Sequence, residues 1–402
     1  MKIVVHDYAG HAFPTSLSRE LAARGHEVVH AFASSLQTPR GDLVQRESDP
    51  PSLSFREIQM DPEYVRYKYS FLRRRRMEVQ YGRSVASFIA SWKPDAVISG
   101  NTPTETQGPI VRSTVANGGK FYYWVQDFYS LAVDKLLRKK IPVAGAWVGA
   151  WYRRLDPNQF RQSSRILAIT EDFAPVLRDE FGVPSSRIAI APNWAEIEKF
   201  PVLPKDNEWS RRNGLHDQFV FLYTGTIGMK HNPGMLLELA KRHAHDPQVK
   251  VVVISEGIGA EWLRKKIAEE NVSNLILLPY QPFSELPAVL ASGDVLIGIL
   301  EKEAGTFSVP SKTLTYLCAR RALLLSIPPE NLASRITQRE NAGLIVGPDD
   351  MEGFIGSAQK LRESDSLREE LGGNARRYAE ETFRIAKIAT DFDEILAGRP
   401  HE

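Results

Sequence analysis

A chain of 402 residues is too long for one ordinary hydrophobic core, so two α/β domains of about 180 residues each are expected. Hydrophobic residues at 43% and charged residues at 25% exclude a disordered chain, and the single cysteine, Cys318, excludes a disulfide framework and points to a reducing, cytoplasmic setting. The net charge of +2 hides an asymmetry, because residues 1–200 carry 27 Lys+Arg against 21 Asp+Glu and the remainder carries 24 against 28.

Met1-Lys2-Ile3-Val4-Val5 reads as a buried strand rather than a signal peptide, and no apolar run approaches the roughly 20 residues that span a bilayer. Ile3–His6 is a strand, Pro14–Arg24 a helix ended by Gly25, and Val28–Ala33 the next strand. The pattern continues with a helix over Arg83–Trp92, a strand over Ala96–Ser99 and a helix over Ile110–Asn117. Strands follow at Phe121–Val125 and Ile166–Thr170. Strand and helix in rotation imply parallel pairing with right-handed crossovers. Pro201 to Gly214, rich in proline and charge, reads as an exposed hinge.

The same grammar then restarts. Strands are expected at Phe219–Tyr223, Val249–Ile254, Leu275–Leu278, Val295–Ile299 and Ala322–Ser326. Helices are expected at Pro233–His243, Glu261–Glu270, Phe283–Ser292 and Lys312–Ala319, and a long helical stretch runs from Ser366 to Leu396. The chain therefore divides into an N-terminal domain (1–200), a linker (201–214), a C-terminal domain (215–375) and a C-terminal helix (376–402) returning to the first domain. Two such sheets place a ligand in a cleft between their facing strand ends.

Three turns of the second half suit an anion. Thr224-Gly225-Thr226-Ile227-Gly228-Met229-Lys230 follows a strand, its glycines permit close backbone approach, and Lys230 can reach a diphosphate. Ser255-Glu256-Gly257-Ile258-Gly259 is a second strand–turn–helix junction. Gly305-Thr306 to Pro310-Ser311-Lys312 is the third, where Ser311 and Lys312 open an apolar helix. Each alone is weak, since a strand-end turn with a surface lysine is common, but three at successive strand ends of one domain reinforce one another.

The order of segments resembles glycosyltransferase family 4, the retaining GT-B enzymes, over nearly the whole chain. Leu167-Ala168-Ile169-Thr170-Glu171 and Ile188-Ala189-Ile190-Ala191-Pro192-Asn193 resemble the strands before the interdomain link. Gly225 to Lys230 resembles the basic turn, Ser255 to Gly259 the glycine turn over the nucleotide, and Tyr280-Gln281-Pro282 to Leu290 the next loop and helix. Gly343-Leu344-Ile345-Val346-Gly347-Pro348-Asp349-Asp350 resembles a further family segment. One departure is clear: the family's Glu-x7-Glu element is absent in strict register, and Pro310-Ser311-Lys312-Thr313-Leu314-Thr315-Tyr316-Leu317 resembles instead a bacterial fucosyl- and fucosaminyltransferase-like branch.

The resemblance implies an α/β GT-B fold and a retaining transfer of sugar from a UDP- or GDP-linked donor, with no cofactor and no metal. The donor-binding set is Gly225, Thr226, Glu256, Gly257, Ile258, Gln281, Gly305, Thr306, Ser311 and Lys312, with Glu256, Gln281 and Glu340 near the base. Lys230 stabilises the leaving diphosphate. In the first half, Gly10 and His11 follow the first strand on the acceptor side, and Asp127 positions or deprotonates the acceptor hydroxyl. The acceptor is a saccharide, lipid-linked on polyprenyl diphosphate, in capsule, O-antigen or exopolysaccharide synthesis.

Residues 61–160 carry 16 basic against 8 acidic residues. Tyr64 to Arg76 interleaves aromatics with cations, and Leu136 to Arg154 adds Trp147, Trp151 and further cations around an apolar run. This composition suits peripheral contact with an anionic inner membrane leaflet rather than nucleic acid, for which no recognition motif is present. A packed helix with a basic edge is the plainer alternative. A non-catalytic nucleotide-sugar-binding scaffold and a GT-B sugar epimerase are the rival functions.

Overall fold

A computed structural model describes residues 1–34, 41–67, 70–140, 142–228, 231–302 and 311–399, with the backbone alone described at 132, 136, 138–140, 142–144 and 146. The chain forms two compact units, one comprising 1–193 with 385–402 and the other 194–384.

The first unit holds seven strands: β1 (Lys2–Asp7), β2 (Glu27–Ala33), β3 (Leu53–Ile58), β4 (Ala96–Gly100), β5 (Lys120–Val125), β6 (Arg165–Ala168) and β7 (Ile188–Ile190). All neighbours pair in parallel, in the order β3-β2-β1-β4-β5-β6-β7. The second unit holds β8 (Phe219–Thr224), β9 (Val249–Ile254), β10 (Leu275–Leu278), β11 (Val295–Ile299), β12 (Ala322–Ser326) and β13 (Gly343–Val346). Its sheet is also parallel, in the order β10-β9-β8-β11-β12-β13.

The sequence dictates this because a parallel sheet is covered by helices on both faces, so its strands need apolar residues at every position. All residues of β8, β11 and β12 are buried. Phe221, Tyr223, Val251, Val253, Ile297 and Leu324 lie at the centre of the second core. In each sheet the strand order reverses once, between β1 and β4 and between β8 and β11. Crossovers leave opposite faces on the two sides of such a point, which opens a crevice at the C-terminal strand ends.

Four expectations change. Strand β3 was not anticipated, because its exposed Ser54, Arg56 and Glu57 interrupt the apolar signal of this edge strand. The helix expected from Arg83 starts at Phe71, since the arginines preceding it pack against carboxylates instead of ending it. The C-terminal stretch is two helices, Asp365–Thr382 and Ile385–Leu396, and only the second belongs to the first unit. There Arg24 and His26 bond Asp393, Phe392 meets Trp124 with ring centroids 5.3 Å apart, and Tyr122 donates to the Leu396 carbonyl.

Residues 201–214 are not a free hinge. Asn207 and Ser210 form a reciprocal capping box on the helix Glu208–Arg212, Trp209 is buried, and Lys205 pairs with Asp294. This segment is an integral part of the second unit.

Candidate active site

Of the turns read as donor-binding, those at Gly225 and Gly257 follow β8 and β9, beside the strand-order reversal of the second sheet. Gly225, at the end of β8, has φ +102°, and Gly257, after β9, has φ +101°, a region that side chains rarely enter. The turn after β8 is pinned on several sides: the Ile227 amide donates to Ser255 Oγ at 2.9 Å, and the Tyr223 hydroxyl donates to the Thr226 carbonyl at 3.1 Å. Tyr316 accepts from the Thr224 amide at 2.9 Å. The turn is therefore preorganised by residues outside it.

Lys312 is the most unusual side chain of this region. Its Nζ is buried without a hydrogen-bond partner among the described residues and lies 3.8 Å from the centre of the Tyr223 ring. A Cβ added at Gly225 would lie 3.5 Å from that Nζ, so glycine leaves the ammonium a face toward the turn. Burial lowers the Lys312 pKa to about 7. A buried cation without a counter-ion is costly in the empty protein, and an anion arriving at Gly225 removes that cost. Ser311, exposed, precedes this lysine at the start of the helix Lys312–Cys318.

The remaining donor-side residues are placed as follows. Thr226 bonds Tyr280 hydroxyl to hydroxyl at 2.7 Å, and Glu256 accepts from the Tyr280 amide at 3.3 Å. Ile258 is 75% exposed at the start of its helix. Gln281 accepts from the Trp209 indole at 3.0 Å and donates to the Pro279 carbonyl, so its carboxamide is already engaged within the protein. Glu340 sits at the end of the helix Leu332–Arg339, ion-paired with Arg339 at 2.7 Å. Lys230, Gly305 and Thr306 lie outside the described residues. Tyr223, Ser255, Tyr280 and Tyr316 were missed. The spacing Lys312–Tyr316, one helical turn, was the available signal, since it sets both on one face against β8.

In the first unit the reversal lies between β1 and β4. Gly10 closes the turn after β1 by donating to the Asp7 carbonyl at 3.1 Å, and His11 Nδ1 meets the Asp7 carboxylate at 3.1 Å. A small cavity beside this turn is lined by Asn101, Thr102, Trp124, Asp127, Tyr129 and Asp156, among others. Asp127 is exposed at its rim. The protein packed around Asp127 favours its neutral form and raises its pKa, while the side chain itself remains open to solvent. Asp156 is buried, and desolvation, opposed by Ser130 and reinforced by Asp127, lifts its pKa to about 6. Asp7 lies in the turn after the first strand that the sequence already marked, whereas sequence reasoning missed Asn101 and Asp156, which carry no motif.

The basic-aromatic segments are partly structural. Arg74 pairs with Glu78 at 3.3 Å and Arg75 with Glu105 at 3.2 Å, while Arg153 pairs with Glu180 at 2.7 Å. Burial raises the Glu78 pKa to about 7 despite Arg74. Leu72 and Trp147 nevertheless remain 76% and 79% exposed, and Trp151, 40% exposed, lies under Arg75. No helix among the described residues is long and apolar enough to cross a membrane. The described residues contain no group of three His, Cys, Asp or Glu that could hold a metal ion.

The Lys312 environment makes a stability prediction. Its pKa in the folded protein lies below the unfolded value, so the unfolded chain binds more protons between about pH 7 and pH 10, and stability contributed at this site rises with pH across that window. Lys312→Met should therefore raise the stability of the ligand-free protein at pH 7 by about 1 kcal/mol or more and flatten its pH dependence above pH 7. Chemical denaturation across this pH range checks it.

A family model described as a glycosyl transferase 4-like domain matches residues 11–194. A putative colanic acid biosynthesis glycosyl transferase of Escherichia coli K12, WcaI, is 24% identical over 318 residues, covering 76% of this chain and 75% of the relative. The probable glycosyltransferase WbjE of Pseudomonas aeruginosa is 24% identical over 291 residues, covering 72% and 71%. The crystal structure of Anabaena HepE in complex with UDP and glucose superposes with a TM-score of 0.72 at 12% identity, covering 99% of each chain. Sequence and fold agree on a glycosyltransferase with the GT-B fold, whose residues 11–194 resemble a glycosyl transferase 4-like domain.

Proposed function

We propose that this glycosyltransferase moves a sugar, with retention, from a UDP- or GDP-linked donor to a saccharide carried on polyprenyl diphosphate, in bacterial surface polysaccharide assembly. The observation that carries the donor side is the buried, unpartnered Lys312 ammonium against Gly225. The printed roles of the relatives support the pathway class, since WcaI is named for colanic acid biosynthesis and the HepE structure for its UDP and glucose.

Chemistry follows from charge. As the bond from the anomeric carbon to the diphosphate breaks, negative charge grows on the leaving oxygens. Lys312 and Lys230, with the amides of the Gly225, Gly257 and Gly305–Thr306 turns, stabilise that charge. Their two cations supply what a divalent ion would otherwise provide, so the reaction is expected without a metal or cofactor. Glu256 and the backbone around Gln281 flank the base. Asp127, open at the rim of its cavity, orients the acceptor hydroxyl.

Nucleotide sugars should raise the melting temperature, with UDP- or GDP-sugars exceeding dTDP-sugars. Lys230→Ala should lower donor turnover by about 10²–10³-fold. A variant within threefold of wild type would remove Lys230 from the mechanism, and absence of any shift with all three sugar classes would contradict the donor reading.

The exposed Leu72 and Trp147, with Arg75 lying over the ring of Trp151, support docking on the inner leaflet of the plasma membrane. Vesicles containing anionic lipid should co-sediment the protein better than neutral vesicles, and Trp147→Ala should weaken this. Equal pelleting with both would remove the membrane face.

A further inference from the structure

The cavity at the C-terminal ends of β4 and β5 is built from residues of the first unit alone. Its free volume is about 20 Å³, room for one water-sized group and not for a sugar ring. Two carboxylates line it, the buried Asp156 and, at the rim, Asp127. No lysine, arginine or histidine among the described residues lines it.

Asp156 is 3% exposed. Its Oδ2 accepts from the Ser130 hydroxyl, and its Oδ1 has no hydrogen-bond partner among the described residues. Its pKa, lifted by burial to about 6, leaves it ionised at pH 7, and the Asp127 charge adds repulsion. The polar neighbours bond elsewhere. Asn101 Nδ2 donates to Asp7 at 3.0 Å, Thr102 Oγ1 to the Gly100 carbonyl at 2.6 Å, and Gln126 Nε2 to Asn193 at 3.1 Å. The arginines of the surrounding helices pair with other carboxylates, Arg74 with Glu78, Arg75 with Glu105 and Arg153 with Glu180. A buried ionised oxygen in this state is costly until a donor reaches it.

The chemistry of the wall selects the donor. A water or a hydroxyl gives Oδ1 its hydrogen and leaves two like charges uncompensated, whereas a cation answers both. A metal ion asks for a fuller set of ligand atoms, and the described residues contain no group of three His, Cys, Asp or Glu. Much of the remaining wall is aromatic, with Tyr123 and Phe160, ring centroids 4.9 Å apart, and Tyr129. Asp156 and Phe160 stand one turn apart on the helix Pro142–Gln162, which sets carboxylate and ring on one face. A carboxylate and aromatic rings around a small space suit an organic ammonium.

We propose that this cavity is an ammonium subsite, filled by the amino group of an amino sugar in the saccharide acceptor. The identity of the acceptor rests on the glycosyl-transfer reading above. The ammonium donates to Asp156 Oδ1 and keeps its charge, and no covalent bond forms or breaks. The sugar ring stays outside, at the rim beside Asp127. An acetamido group is uncharged and too large for the space, so the subsite distinguishes a free amine from its N-acetyl form.

The test is binding at pH 7 and constant ionic strength, read by melting temperature and calorimetry, with glucosamine, glucose, N-acetylglucosamine and methylammonium chloride as probes. Glucosamine should raise the melting temperature and bind about tenfold or more tighter than the other three. Asp156→Asn still accepts from Ser130 and should lose this preference, while its nucleotide-sugar affinity matches wild type. Should that variant fail to fold, Asp127→Asn, at the exposed rim, should weaken glucosamine binding by about threefold or more. In transfer, acceptors ending in glucosamine should exceed their N-acetyl forms in kcat/KM by about tenfold, a ratio that Asp156→Asn brings near one. Glucosamine that binds no better than glucose, or that binds Asp156→Asn as well as wild type, overturns the ammonium subsite and leaves the transferase intact. Methylammonium binding as tightly as glucosamine assigns the cavity to a free amine and overturns the acceptor's place in it. A wild-type protein that binds glucosamine but neither binds nor transfers any nucleotide sugar overturns the transferase reading, and the acceptor's place with it.

Discussion

A lysine is buried where no described residue offers its Nζ a hydrogen-bond partner. Lys312 lies against the Tyr223 ring, beside a glycine whose missing Cβ leaves room at the ammonium, and no described group bonds its Nζ. Such a charge opposes folding, and the apolar core of the second sheet must outweigh it. The surrounding construction makes sense on that basis. Tyr316 and Ser255 pin the backbone of the β8 turn, so its conformation is set before any ligand arrives.

The two units use one architectural device for opposite charges. Each sheet reverses its strand order once, and each reversal collects the chemistry. In the second unit the collected charge is cationic, Lys312 beside Gly225. In the first it is a buried carboxylate, Asp7, turned toward a histidine. The basic excess of residues 61–160 is thus largely distinct from the chemistry. Arg74 and Arg75 neutralise Glu78 and Glu105 within the packing of three helical segments, while Leu72 and Trp147 remain for a surface role.

Much of the fold was legible because buried parallel strands leave continuous apolar runs. Leu275–Leu278, Val295–Ile299 and Ala322–Ser326 were read to the residue. Edge strand β3 was hidden by its polar alternation, and the break at Phe383–Arg384 by helical composition on both sides. Lys312 and Gly225 were legible as separate turns; their mutual approach was not, since 86 residues of intervening chain must fold to bring them together. Asn101 had no signal, being an ordinary residue after a strand until the β1–β4 pairing brings it beside Asp7. Gln281 shows the converse, a residue in a suggestive segment whose side chain is used by Trp209.

The account stands on the anion that Lys312 awaits. Calorimetric titration of the best-binding nucleotide sugar at pH 8, in two buffers of different ionisation enthalpy, measures protons exchanged on binding. Lys312 is mostly neutral at that pH in the free protein, and a bound diphosphate restores its charge. Uptake approaching one proton per site, lost in Lys312→Met, is the predicted result. Identical heats in the two buffers, with donor affinity unchanged in Lys312→Met, would contradict it.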